Sequence, residues 1–115
     1  MYAQFATLQD QPVTLSPGGN NQVIDFNIFQ IQPIEESAYI SFRVRSNGPA
    51  TLMVLLNGAE VLEHEFESTT ERVWQENFRG SLLDPVNNSI TLLHRGGDGD
   101  VKVSDIVVHY YGLPN

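Results

Sequence analysis

The sequence predicts an all-β chain folded as a two-sheet antiparallel sandwich. Apolar and polar residues alternate with period 2 along most of the chain, as they do in strands with one face on a core and one in water. Turn-forming clusters recur about every 8 to 12 residues, the rhythm of a sandwich or barrel. No stretch carries the 3.6-residue helical period over three turns.

Taken in order, the elements are as follows. Two short strands are expected near the N-terminus, ahead of the turn cluster Ser16-Pro17-Gly18-Gly19-Asn20-Asn21. Val23 to Ile31 then alternates, with Ile24, Phe26 and Ile28 on one side. Ala38 to Ser46 is the clearest strand: Ala38, Ile40, Phe42 and Val44 share one face, and Tyr39, Ser41, Arg43 and Arg45 the other. Thr51 to Leu56 runs into Asn57-Gly58, a pair that tolerates the positive φ of a type I′ turn, and Ala59 to Glu67 returns. Arg72 to Phe78, Ser89 to Arg95 and Val101 to Tyr111 follow. The last three are separated by Asp84-Pro85-Val86-Asn87-Asn88 and Gly96-Gly97-Asp98-Gly99-Asp100. The Glu-rich stretch Glu60 to Glu76 leans toward helix, but Thr69-Thr70, Val73 and Trp74 favour extended backbone, so at most one turn is expected there. The total is about eight strands.

Length and composition narrow the function. A chain of 115 residues with a hydrophobic fraction of 41% has room for one cored domain, covering residues 1–115, and none for a second. Without cysteine, neither a disulfide framework nor a thiolate metal site can form. The N-terminal Met1-Tyr2-Ala3-Gln4-Phe5 lacks a basic leader pattern, and no segment approaches membrane-spanning length. A net charge of −8 repels phosphate backbones and anionic lipid, so neither nucleic acid nor membrane is expected as a partner.

One resemblance rests on the last quarter of the chain. Asn88-Ser89-Ile90-Thr91-Leu92 leads through a Gly-rich hairpin into Val101-Lys102-Val103-Ser104-Asp105-Ile106-Val107-Val108. This resembles the closing strand pair of galactose-binding-like jelly rolls and carbohydrate-binding modules, and the central Leu52 to Phe66 hairpin fits the same picture. The resemblance implies a sandwich of jelly-roll type, with sugar binding in many families and calcium-bridged or purely structural roles in others.

Catalysis finds no support. His64, His94 and His109 lie on different expected strands with no His-x-His or His-x-x-x-His spacing, and neither a nucleophile elbow nor a phosphate-binding Gly loop is present. The chain therefore reads as a non-enzyme. No cofactor is expected, with one exception weighed: Asp98, Asp100 and Asp105 supply hard oxygen ligands near a Gly-rich turn, a calcium set if they converge. Against it, the spacing matches no known loop, and a hairpin with glycine at positive φ accounts for the same residues. Glu63, Glu65 and Glu67 form an acidic strand face, read as a wetted surface that discourages edge pairing. His64 shares the opposite face with Leu62 and Phe66 and is expected at the core or the sheet margin.

Sugars are held by stacking on aromatic rings while polar side chains grip hydroxyls. Tyr39 beside Arg43, and Trp74 beside Arg72, are the pairs that offer this combination, against the alternative that the only tryptophan is core. Of Tyr110 and Tyr111, which project to opposite faces, at most one is expected to be exposed. Asn87-Asn88-Ser89 fits the N-glycosylation triplet and marks a polar turn. The expected function is a non-catalytic, lectin-like module that recognises carbohydrate on an aromatic and polar sheet face or loop rim. The alternative is a structural or assembly protein that forms a homo-oligomer without a small ligand.

Overall fold

The computed structural model describes residues 2–9, 11–19, 21–28, 31–33 and 37–114. Its strands are β1 (Tyr2–Gln9), β2 (Val13–Leu15), β3 (Gln22–Asn27), β4 (Ile31–Pro33), β5 (Ser37–Ser46), β6 (Ala50–Leu56), β7 (Ala59–Phe66), β8 (Arg72–Arg79), β9 (Asn87–Gly96) and β10 (Val101–Pro114). One 3₁₀ turn, Gly80–Leu82, interrupts them, and the Glu-rich stretch 60–76 is extended, not helical. The strands build two antiparallel sheets, one of six strands and one of four in the order β3-β9-β6-β7. In the six-stranded sheet, β10 is the spine. Val101 pairs with both Leu15 and Ser46, and Gly112 with both Tyr2 and Pro33, so β1 and β2 lie along one edge of β10 and β5 and β4 along the other. β8 flanks β5. The result is a β-sandwich of jelly-roll type.

Alternation produces the core. In β6 every second residue is buried, with Ala50, Leu52, Val54 and Leu56 at 1% exposure or less. Ala38, Ile40, Phe42 and Val44 of β5, with Val101, Val103, Ile106, Val108 and Tyr110 of β10, face them from the other sheet, while Ile90 and Leu92 of β9 lie beside them in the same sheet. Tyr110 is buried and Tyr111 exposed, as opposite faces require.

The sequence reading departs from the structure at Val23 to Ile31, expected as one strand. β3 ends at Asn27 and pairs with β9, whereas Ile31 belongs to β4 and pairs with β10 in the other sheet. Ile28 stays buried beyond the end of β3. An apolar run does not state which sheet it joins, because both sheets bury the same kinds of side chain. β1 and β2 are the two strands expected ahead of Ser16, and β4 is the one not expected, so the described residues hold ten strands against about eight.

Three local devices fix the frame. Asn57 and Gly58 both adopt positive φ, +52° and +86°, the two left-handed positions of a type I′ turn. The Asn57 side chain ties that hairpin to β9: its Oδ1 accepts from the Ser89 N–H, and its Nδ2 donates to the Leu82 carbonyl and to Asn88 Oδ1. Asn88, 3% exposed, also accepts from the Asp84 N–H and donates to the Asp84 carbonyl, so this buried amide is satisfied. At the other end, the hairpin before β10 packs against residues 47–49. Gly97 has φ +88°, and a Cβ there would overlap the Pro49 carbonyl; one on Gly99 would overlap the Gly48 backbone. In β10 itself, the pairing with β5 slips between Ser104 and Val107, a bulge that leaves Asp105 at φ +51° and turns Ile106 fully inward.

Among the described residues, β7 is an edge strand paired only with β6, and Glu63, Glu65 and Glu67 are exposed along it. The Glu65 carboxyl is raised above its usual range, first by a hydrogen bond with the Glu67 carboxyl and then by its charge. Such a row of mutually repelling carboxylates keeps the edge from recruiting another strand.

Candidate functional site

Residues paired across strands share a sheet face, so the register assigns each side chain. On the outer face of the six-stranded sheet one row crosses four strands: Phe5 of β1 opposite His109 of β10, His109 opposite Tyr39 of β5, and Tyr39 opposite Asn77 of β8. The rings form a continuous series. Phe5 and His109 have centroids 6.3 Å apart, and His109 stacks on Tyr39 at 4.2 Å with an interplanar angle of 16°. Phe5 is 68% exposed and Tyr111, two residues from His109 on the same face, 39%. Desolvation lowers the His109 pKa from its ordinary value, which favours the neutral ring in the stack.

A second row lies further along the same face. Thr14 of β2, Lys102 of β10 and Arg45 of β5 are consecutive cross-strand partners. Between the two rows the β10 bulge brings Asp105 to Arg43, whose Nε lies 3.2 Å from Asp105 Oδ2 and whose Nη1 lies 3.5 Å from Glu71 Oε2. Arg43 is about half exposed and held by two carboxylates, an oriented donor at the surface.

The four ligand-binding candidates are thus split between two faces. Tyr39 and Arg43 lie together on the outer face. Trp74 pairs with the buried Phe42 and Arg72 with the buried Val44, so both belong to the inward side of β8. There Trp74 closes the open edge of the sandwich: its ring meets His64 at 4.5 Å and Phe66, edge-on, at 5.3 Å, both on β7 of the opposite sheet. Its indole N–H donates to Glu76 Oε1 at 3.3 Å. Arg72 lines a separate surface cleft with His64, Glu65 and Glu67. The sequence could not place the four because their faces depend on which residue of β8 opposes which residue of β5.

The three aspartates do not converge. Asp105 faces Arg43; Asp100 is tied to Asn47, whose Oδ1 accepts the Asp100 N–H at 2.6 Å; Asp98 is exposed in the hairpin. Among the described residues no three His, Cys, Asp or Glu side chains gather as a metal set. The histidines are also apart. His64 packs at the sheet margin on Phe66 and Trp74, His94 donates from Nε2 to the Gly99 carbonyl at 2.7 Å, and His109 is in the outer stack.

Sequence reasoning missed His109, Phe5 and Asn77 as neighbours of Tyr39. The available signal was alternation through His109 and Tyr111, but joining them to Tyr39 requires the register set by the Asp105 bulge.

No protein-family model matches the sequence, and no curated protein matches it. Solved structures do. A family 35 carbohydrate-binding module from Clostridium thermocellum superposes with a TM-score of 0.61 at 18% identity, covering 91% of this chain and 97% of that one. A CBM36 carbohydrate-binding module, in complex with calcium and xylotriose, gives 0.57 at 15% identity over 95% of this chain and 99% of that one. Dimeric latent PorU from Porphyromonas gingivalis gives 0.67 at 11% identity, over 95% of this chain and 12% of that much longer one. The chain therefore has the β-sandwich fold seen in carbohydrate-binding modules of families 35 and 36.

Proposed function

We propose that this domain is a non-catalytic carbohydrate-binding module and that it binds through the outer face of its six-stranded sheet, with Tyr39 as the stacking platform. The observation that carries the proposal is the ring series on that face. His109 covers one side of the Tyr39 ring and fixes its orientation, while the opposite side faces β8, where Asn77 is its cross-strand partner. A held ring loses little freedom when a pyranose stacks on it, and Asn77, Ser41 and Arg43 stand beside it as donors and acceptors for hydroxyls. The separation of the three histidines and of the three aspartates supports a binding role over a catalytic one. Fold likeness to carbohydrate-binding modules raises the same reading without assigning a residue.

Two variants test it. Tyr39→Ala is expected to weaken binding to oligosaccharides on a glycan array by about tenfold or more, the loss of roughly 1.5–3 kcal/mol of ring burial, with the melting temperature little changed. Trp74→Ala should do the reverse, lowering stability by about 2 kcal/mol through loss of the β7–β8 closure while array binding persists. If Trp74→Ala removes binding from a folded domain and Tyr39→Ala does not, the site is at the β7–β8 edge and the outer face is excluded.

A further inference from the structure

At the end of the outer face, Thr14, Arg45, Ser46, Asn47, Thr69, Asp100 and Lys102 line a cleft of about 350 Å³. One feature of it stands apart from the rest of this acidic surface. Arg45 and Lys102 are adjacent across the β5–β10 pairing, and neither is engaged in an ion pair among the described residues, whereas Arg43 holds two carboxylates. Ser46, 3% exposed and paired with the fully buried Val101, belongs to the inner side of β5 and forms the floor of the cleft. Asp100 is the one carboxylate in the cleft, already tied to Asn47, so the two cations outnumber it.

Resting on the carbohydrate reading above, we infer that this cleft receives the anionic group, carboxylate or sulfate, of an acidic glycan. The sugar rings of that glycan extend along β5 to Tyr39. Arg45 and Tyr39 both project from the outer face of β5 six positions apart, about 20 Å at strand spacing, so one oligosaccharide can span both ends. Arg45 and Lys102 supply charge-assisted hydrogen bonds to the anion. Asp100 and Asn47 are placed to accept from and donate to neighbouring sugar hydroxyls. Selectivity then arises from the sign of the local field: a domain of net charge −8 repels acidic polymers everywhere except at this cleft.

The test is calorimetric titration of the intact domain with a galacturonate tetrasaccharide, a sulfated galactose tetrasaccharide and a neutral xylose tetrasaccharide, in low and in 0.5 M salt. At least one acidic ligand is expected to bind about tenfold or more tightly than the neutral one at low salt, and the advantage should shrink as salt screens it. Whichever acidic ligand is preferred identifies the group as carboxylate or sulfate. In the Arg45→Ala/Lys102→Ala double variant, whose changes are at solvent-facing positions and whose folding is checked by its melting curve, the preference should fall to about one. Equal affinity for all three ligands, or a preference that survives the double variant, overturns the inference while leaving sugar binding standing. Failure of every ligand to bind overturns the carbohydrate reading as well.

Discussion

Phe42→Ala is expected to bring the domain close to unfolding. Phe42 is 2% exposed at the centre of β5, opposite Trp74 on one side and the Asp105–Ile106 bulge on the other, and it reaches into the interior that β6 and β9 close from above. Removing a buried aromatic ring from such a position costs about 3–5 kcal/mol, because the lining cannot collapse into the space. That is a large part of the roughly 5–15 kcal/mol that holds a typical domain together. Urea denaturation should show the midpoint falling by about 2 M. Ser41→Ala, one residue away on the outer face, should stay within about 0.5 kcal/mol of the parent. Equal effects for the two substitutions would mean that the inner and outer faces of β5 are misassigned.

The second large effect is expected at Gly97. Alanine there must adopt φ +88° and place its Cβ on the Pro49 carbonyl, so left-handed strain and steric overlap add. A loss of about 2–4 kcal/mol, or a melting temperature lower by roughly 10 °C, follows. Gly58→Ala is the informative comparison. Its φ is +86°, nearly the same, but nothing lies near an added Cβ, so only the conformational part of the cost applies. The difference between the two, read by differential scanning calorimetry, isolates the close approach of the 96–100 hairpin to residues 47–49. That contact also shapes the wall of the cleft containing Asn47 and Asp100.

What could be read from the sequence and what could not divides along a physical line. The face of each residue within a strand follows from period 2, so the burial of Ala38, Ile40, Phe42 and Val44, and the outward turn of Tyr39, Arg43 and Arg45, were legible. The Asn57-Gly58 hairpin was legible too, because few dipeptides accept two positive φ values. Relations between strands were not. Trp74 and Arg72 share the inward side of β8, away from Tyr39 and Arg43, only because Phe42 opposes Trp74. The series Phe5, His109, Tyr39 depends on β10 pairing with β1 and β5 at once, across more than 100 residues of chain in the case of Phe5. The passage of the chain between β3 and β4 was hidden because both sheets bury the same kinds of side chain. In the hairpin of Gly97 and Gly99 the sequence suggested glycine at positive φ, which occurs at Gly97, but both glycines are also required by a neighbouring backbone.

Sugar binding at Tyr39, on the outer face of the six-stranded sheet, is the proposal on which the acidic-glycan inference rests. Its most direct test is a ¹H–¹⁵N correlation titration of the intact domain with the tightest oligosaccharide from a glycan array. The perturbed amides are expected to cluster at Tyr39, Ser41, Asn77 and His109, continuing toward Arg45 and Lys102 for an acidic ligand. Perturbations gathered on the four-stranded sheet around Thr51, Met53 and Thr91, or at the β7–β8 edge around His64 and Trp74, would contradict it.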